Sequence, residues 1–124
     1  MQLNELCKEA HARAIAGGWW EPGKEKRPLE CHMLICSEIA EATEEVRNSR
    51  PPFYVAGHGS NRAMEPTAYK VEDGKPEGET VEMADAIIRI ADWFGRNGWD
   101  MEAVVKAKME YNATRSYRHG GKSA

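Results

Sequence analysis

The sequence predicts an all-α domain: an antiparallel bundle of about four helices, with a long loop between the second and third, completed by a second copy of the chain. Three observations carry this expectation. Apolar residues recur at helical spacing in four segments, and no segment sustains the alternation of a strand. The third helical segment is apolar on more than one side (Val81, Met83, Ala84, Ile87, Ile88, Ile90, Ala91, Phe94), more than one small core needs. At 124 residues the chain makes a single domain, 1–124.

Leu3, Leu6, Cys7, Ala10 and Ala14 follow a helical stripe and Gly17-Gly18 stops it, so the first helix is expected over about 3–16. Trp19-Trp20 opens a loop punctuated by Pro22, Gly23 and Pro28. The second helix is expected over about 29–48, where Pro51-Pro52 prevents continuation. Residues 49–79 are rich in Pro and Gly and contain two β-prone pieces, Phe53-Tyr54-Val55 and Thr67 to Val71, which predicts a long loop or a small hairpin insertion. The third helix is expected over about 80–96, ending at Asn97-Gly98, and Asp100 caps a fourth that runs to about Ser116. Residues 117–124, with His119-Gly120-Gly121-Lys122, read as a flexible basic tail.

With 41% hydrophobic and 30% charged residues and a mean hydropathy of −0.68, the composition excludes both a membrane protein and a disordered one. The first residues carry no basic stretch followed by an apolar run, and three cysteines cannot all pair internally, so the cytoplasm is the expected compartment. Cys7, Cys31 and Cys36 read as buried thiols, with a redox role for Cys31 and Cys36 left open. A net charge of −3 gives no reason to expect stable nucleic-acid binding. The distribution of charge is more telling. Four glutamates and no base lie between Glu38 and Glu45, whereas Lys106 to Lys122 holds five bases against Glu110 alone. An acidic helix and a basic end suit a metal ion with a polyphosphate, or two solvated helix faces.

At 100° per residue, Ile35, Ile39, Ala42 and Val46 form one stripe of the second helix, and Glu38, Glu41 and Glu45 form the adjoining one. On the third helix Glu82 and Asp85 share a face that Arg89 and Asp92 continue. Two facing pairs of this kind make an all-oxygen site for Mg²⁺ or Mn²⁺, with no His or Cys to suit zinc. The alternative is a solvated face with Asp85 paired to Arg89. On the fourth helix Met101, Val104 and Val105 define an inward stripe that Lys108, Asn112 and Arg115 continue. Either that end emerges into solvent or its side chains face an anion. Trp19 and Trp20 suit a base-stacking or a core role. His58 reads as a loop residue, and His11 and His32 as packing or surface residues.

Ser37-Glu38-Ile39-Ala40-Glu41 followed by Glu82-Met83-Ala84-Asp85 resembles the two acidic motifs of the MazG-like members of the all-α nucleoside triphosphate pyrophosphohydrolases. The segment Lys108 to Arg115, with Tyr117 to Lys122, resembles the carboxy-terminal part of small phage and bacterial members. The resemblance implies Mg²⁺-dependent hydrolysis of a (deoxy)nucleoside triphosphate to monophosphate and pyrophosphate by a homodimer or homotetramer. It implies Glu38, Glu41, Glu82 and Asp85 as metal ligands, Glu38 or Glu41 as the group that activates water, and Lys108, Asn112 and Arg115 near phosphate or sugar. Many members carry an acid where this chain has Ser37, which leaves the number of metal ions open and makes Glu45 a candidate substitute. A non-catalytic helical dimer that binds nucleotide or a protein partner is the competing expectation.

Overall fold

The computed structural model describes residues 2–57 and 61–115. His58 and the tail expected over 117–124 lie outside the described residues. Among the described residues the protein is mostly helical, with four helices and one small three-stranded sheet. The helices are α1 (Leu3–Ala16), α2 (Pro28–Arg47), α3 (Glu79–Asn97) and α4 (Met101–Ala113). Their ends follow the local chemistry. Pro28 starts α2, with Glu30 Oε1 accepting from the Arg27 N–H at 3.2 Å. Gly98 closes α3 in the left-handed region at φ 66°, where a glycine carries no Cβ penalty. The Asp100 carboxylate accepts from the Ala103 N–H at 2.9 Å and caps α4.

The central element is α3, which packs against both α1 and α2. Gly95 of α3 lies against Cys7 and His11 of α1, and His11 also meets Asp92, so those two helices run antiparallel. On the other side Arg89 meets Glu38 of α2, and Glu82 lies beside Glu41, again antiparallel. It follows that α1 and α2 are parallel to each other, a departure from the fully antiparallel order expected. The Trp-containing loop between them must therefore bring the chain back along α3. The core contains Cys7, Ala10, Ala91 and Met101, flanked by Leu6, Ile90 and Phe94. A Cβ at position 95 would sit 2.5 Å from the Cys7 carbonyl and 2.7 Å from the His11 Cβ, so close approach of the helices depends on that glycine.

The long connection folds as β1 (Tyr54–Val55), β2 (Arg62–Ala63) and β3 (Pro76–Glu77), in the order β2-β1-β3 and antiparallel throughout. The piece expected to be β-prone, Thr67 to Val71, forms no strand. It falls within two 3₁₀ turns, Pro66–Ala68 and Val71–Asp73, because Pro66 opens the first and Asp73 accepts from the Lys70 N–H at 2.9 Å to hold the second. Tyr54 is fully buried and gives its hydroxyl hydrogen bond to Glu45, at 2.9 to 3.0 Å, which joins the sheet to α2. The Thr80 hydroxyl donates to the Pro52 carbonyl at 2.6 Å and ties the start of α3 to the same region.

Two expected inward stripes are not the ones the chain buries. On α2 the buried residues are Cys31, Glu38, Ala42 and Glu45, whereas Ile39 and Val46 are about half exposed. The acids point inward because Arg89, Tyr54 and Arg50 supply partners for them. On α4 only Met101 is buried, and Val104 is 53% exposed. That helix is fastened at its first turn, where Asn4 bonds to Asp100 and Glu102 and Cys7 touches Met101. Cys36 is exposed, not buried, and lies five residues from buried Cys31, a spacing that turns the two thiols to different helix sides. No helix among the described residues is long and apolar enough to cross a membrane.

Candidate metal centre

Glu38, Glu82 and Asp85 each offer a carboxylate oxygen, and the three oxygens lie within 4.8 Å of one another. Two antiparallel helices create this cluster. The i, i+3 spacing puts Glu82 and Asp85 on one face of α3, and the inward face of α2 supplies Glu38. Glu41, one turn further along α2, is exposed and adjoins Glu82. All four acids singled out in the sequence thus meet at one place.

The electrostatics of the cluster are strained. Burial, followed by hydrogen-bonding contact with Glu41 and Glu38 and the charges of Glu41 and Asp85, pushes the Glu82 carboxyl up to about 8. Burial and the charge of Glu38 also raise Asp85, with Arg89 opposing them. Arg89 Nε donates to Glu38 Oε1 at 2.9 Å. The pairing of Asp85 with Arg89 along one helix is therefore replaced by a bond across two.

Glu38, Asp85 and Arg89 open onto a cavity of about 530 Å³, within the range that holds a small-molecule ligand. One wall is the apolar side of α1, with Leu6, Ala10 and Ala14, and Trp19, Lys26 and Asp92 complete other parts of it. Trp19 is 57% exposed, with the Lys26 ammonium 4.8 Å from its ring. Trp20 is buried. Its indole N–H donates to Asp92 at 3.0 Å, Trp93 stacks on it at 6.1 Å, and the guanidinium of Arg96 sits 4.5 Å over its ring. His11, read from the sequence as a packing or surface residue, meets an acid across the helix interface: its Nδ1 lies 2.8 Å from Asp92.

Other candidates lie apart from the acids. Lys108 and Arg115 are exposed and flank Tyr111, their cationic groups 5.4 and 5.8 Å from its ring. Asn112 is half-buried, and its side-chain oxygen has no hydrogen-bond partner among the described residues. None of these three lines the cavity. Glu45 is committed to Tyr54 and Arg50, so it does not stand in for an acid at position 37. Ser37 is exposed and donates to the Leu34 carbonyl at 2.6 Å. Sequence reasoning passed over Arg89, Lys26 and Arg13 as site residues. For Arg89 the signal was its position one turn after Asp85 on the acidic face.

The donor set fits a hard divalent cation. All the ligand atoms are carboxylate oxygens, the donor type that a hard divalent cation takes. Comparison of the chain with protein families, curated proteins and solved structures returns no match.

Proposed function

We propose that the protein is a Mg²⁺-dependent pyrophosphohydrolase that cleaves a standard or modified (deoxy)nucleoside triphosphate to the monophosphate and pyrophosphate, serving nucleotide-pool control in the cytoplasm. The observation that carries the proposal is the convergence of Glu38, Glu82 and Asp85 at the edge of a cavity large enough for a nucleoside. The order and helical placement of the acidic motifs, which resemble those of MazG-like enzymes, support the choice of reaction.

A bound Mg²⁺ would neutralise phosphate charge and acidify a coordinated water. Glu38, Glu82 and Asp85 hold the ion, with Mn²⁺ as a workable substitute. Glu41 is the better base for the attacking water, because Glu38 is already engaged by Arg89 while Glu41 is exposed beside the cluster. The apolar α1 wall and the exposed indole of Trp19 receive the base and sugar, while Trp20, which does not line the cavity, holds the lining residue Asp92 through its indole N–H.

The working unit is a homodimer or homotetramer. Ile39, Val46, Met83 and Ile87 are each about half exposed, a large apolar area for a small monomer. In such an assembly Lys108, Asn112 and Arg115 serve the site from a second copy, since α4 of the same chain packs only at its start. A non-catalytic helical dimer is the competing function, favoured by those same exposed residues. Pyrophosphate release from a panel of triphosphates with Mg²⁺ tests the proposal. Release by the wild type, and none by Glu41→Gln or Asp85→Asn at equal helicity, is expected; no release from any triphosphate would overturn it.

A further inference from the structure

Three cations border the cavity, and two of them are already occupied. Arg13 pairs with Glu9 at 2.6 Å on the exposed side of α1, and Lys26 sits between the rings of Trp19 and Trp20, at 4.8 and 4.9 Å. Arg89 differs from both. It is the cation that reaches the acid cluster, and it does so through Nε alone. Its two terminal amino groups, Nη1 and Nη2, have no hydrogen-bond partner among the described residues, and the side chain lines the cavity.

Resting on the pyrophosphohydrolase reading, we infer that Arg89 is an exchangeable counter-ion: it holds Glu38 in the metal-free protein and binds the substrate's phosphates once a metal ion claims that carboxylate. The physical argument is competition for one group. Glu38 has a side chain only 10% exposed, so its charge needs a partner whenever no metal is present, and Arg89 supplies it at 2.9 Å. A metal ion bound by Glu38 draws on the same carboxylate and weakens that ion pair. The guanidinium then needs another anion, and a phosphate group held beside the acids is the one the proposed reaction supplies. A planar fork with two free amino groups matches phosphate oxygens in a way an ammonium does not.

A merely structural Arg89 would hold α2 to α3 and do nothing else. The two roles differ in the signs of two affinities. In Arg89→Gln the competing cation is gone, so Mg²⁺ titrated calorimetrically in the absence of substrate should bind about fivefold more tightly, the equivalent of relieving one ion pair. The same variant should bind inorganic tripolyphosphate, measured at saturating Mg²⁺, on the order of ten- to a hundredfold more weakly. Arg89→Lys, which keeps the charge and loses the fork, should leave Mg²⁺ affinity near that of the wild type and still weaken tripolyphosphate. If Arg89→Gln fails to fold, Arg89→Lys still tests the phosphate contact, and undiminished tripolyphosphate binding in it would overturn the proposal.

Opposite movement of the two affinities supports the exchange. Unchanged or jointly weakened affinities in both variants, with a wild type that binds Mg²⁺ normally, would overturn the role of Arg89 and leave the metal site standing. A wild type that binds no Mg²⁺ would overturn both.

Discussion

Glu82→Gln should stabilise the metal-free protein at pH 8.5 and leave it almost unchanged at pH 5. Burial and the neighbouring acids push the Glu82 carboxyl from the ordinary 4.5 up to about 8. Between those values the folded chain keeps a proton that the unfolded chain releases. Stability therefore falls as pH rises through that window and is lowest above about 8. A rise of this size corresponds to at most about 5 kcal/mol. The carboxyl is partly open to water and salt, which reduces the realised cost to about 1–2 kcal/mol. For a chain of this length that is a gain of about 4–8 °C in Tm for the amide at pH 8.5. At pH 5 the wild-type carboxyl is mostly protonated and the difference should shrink to about 1 °C or less. Thermal unfolding followed by circular dichroism in EDTA at the two pH values measures both. Repeating it with excess Mg²⁺ should reverse the order at pH 8.5, because the ion stabilises the wild type by mass action and the amide forfeits a ligand. Equal melting temperatures at pH 8.5 without metal, or a gap that persists at pH 5, would show that Glu82 is not crowded by its neighbours.

Glu41→Gln and Asp85→Asn should each abolish turnover while keeping the wild-type helical signal; pyrophosphate release and circular dichroism on the same samples check this, and wild-type rates in both would sink the metal assignment. Lys108→Ala and Arg115→Ala should lower triphosphate turnover on the order of ten- to a thousandfold with little change in Tm, since both side chains are exposed, with their cationic groups beside the Tyr111 ring. Lost stability at a normal rate per folded molecule would exclude the phosphate role. Gly95→Ala should cost about 1–3 kcal/mol by pushing α1 away from α3, given the 2.5 Å approach of the added Cβ to the Cys7 carbonyl. A denaturation midpoint equal to that of the wild type would mean that the two helices separate freely.

What the sequence made legible was mainly local. Gly17-Gly18, Pro28, Asn97-Gly98 and Asp100 punctuate the chain by backbone chemistry that acts within a few residues, so all four helices begin and end within about three residues of expectation. The meeting of Glu38, Glu41, Glu82 and Asp85 was legible for the same reason, because i, i+3 spacing on two helices needs only that the helices face each other. Which stripe of α2 points inward was not. Hydrophobicity favoured Ile39 and Val46, but partners 9 and 51 residues away in the chain decide whether a carboxylate can be buried, and Tyr54 and Arg89 provide them. The pairing of His11 with Asp92 across 81 residues was hidden likewise. Thr67 to Val71 misled because β-branched residues favour strands only where a partner strand lies alongside, and β1 already pairs with Arg62–Ala63 and Pro76–Glu77.

Glu38 and Glu45 lie two turns apart on the same buried stripe of α2, and the contrast between them separates structure from chemistry in this protein. Both are under 10% exposed. Both oxygens of Glu45 accept from the Tyr54 hydroxyl, at 2.9 and 3.0 Å, and Arg50 adds a cation at 3.5 Å. Such a carboxylate is satisfied within the chain, and it fastens the sheet to the helix. Glu38 accepts from Arg89 at 2.9 Å and faces Glu82 and Asp85, acids whose ionisation its own carboxylate opposes. A chain selected for stability alone would treat the second site as it treats the first, or bury an apolar residue there. Instead the electrostatic strain gathers at the middle of α2, where Glu38 lines the cavity and where an added cation would relieve it and an added anion would find Arg89. Strain placed at a cavity and absent two turns away is the physical ground for seeking the protein's chemistry at Glu38.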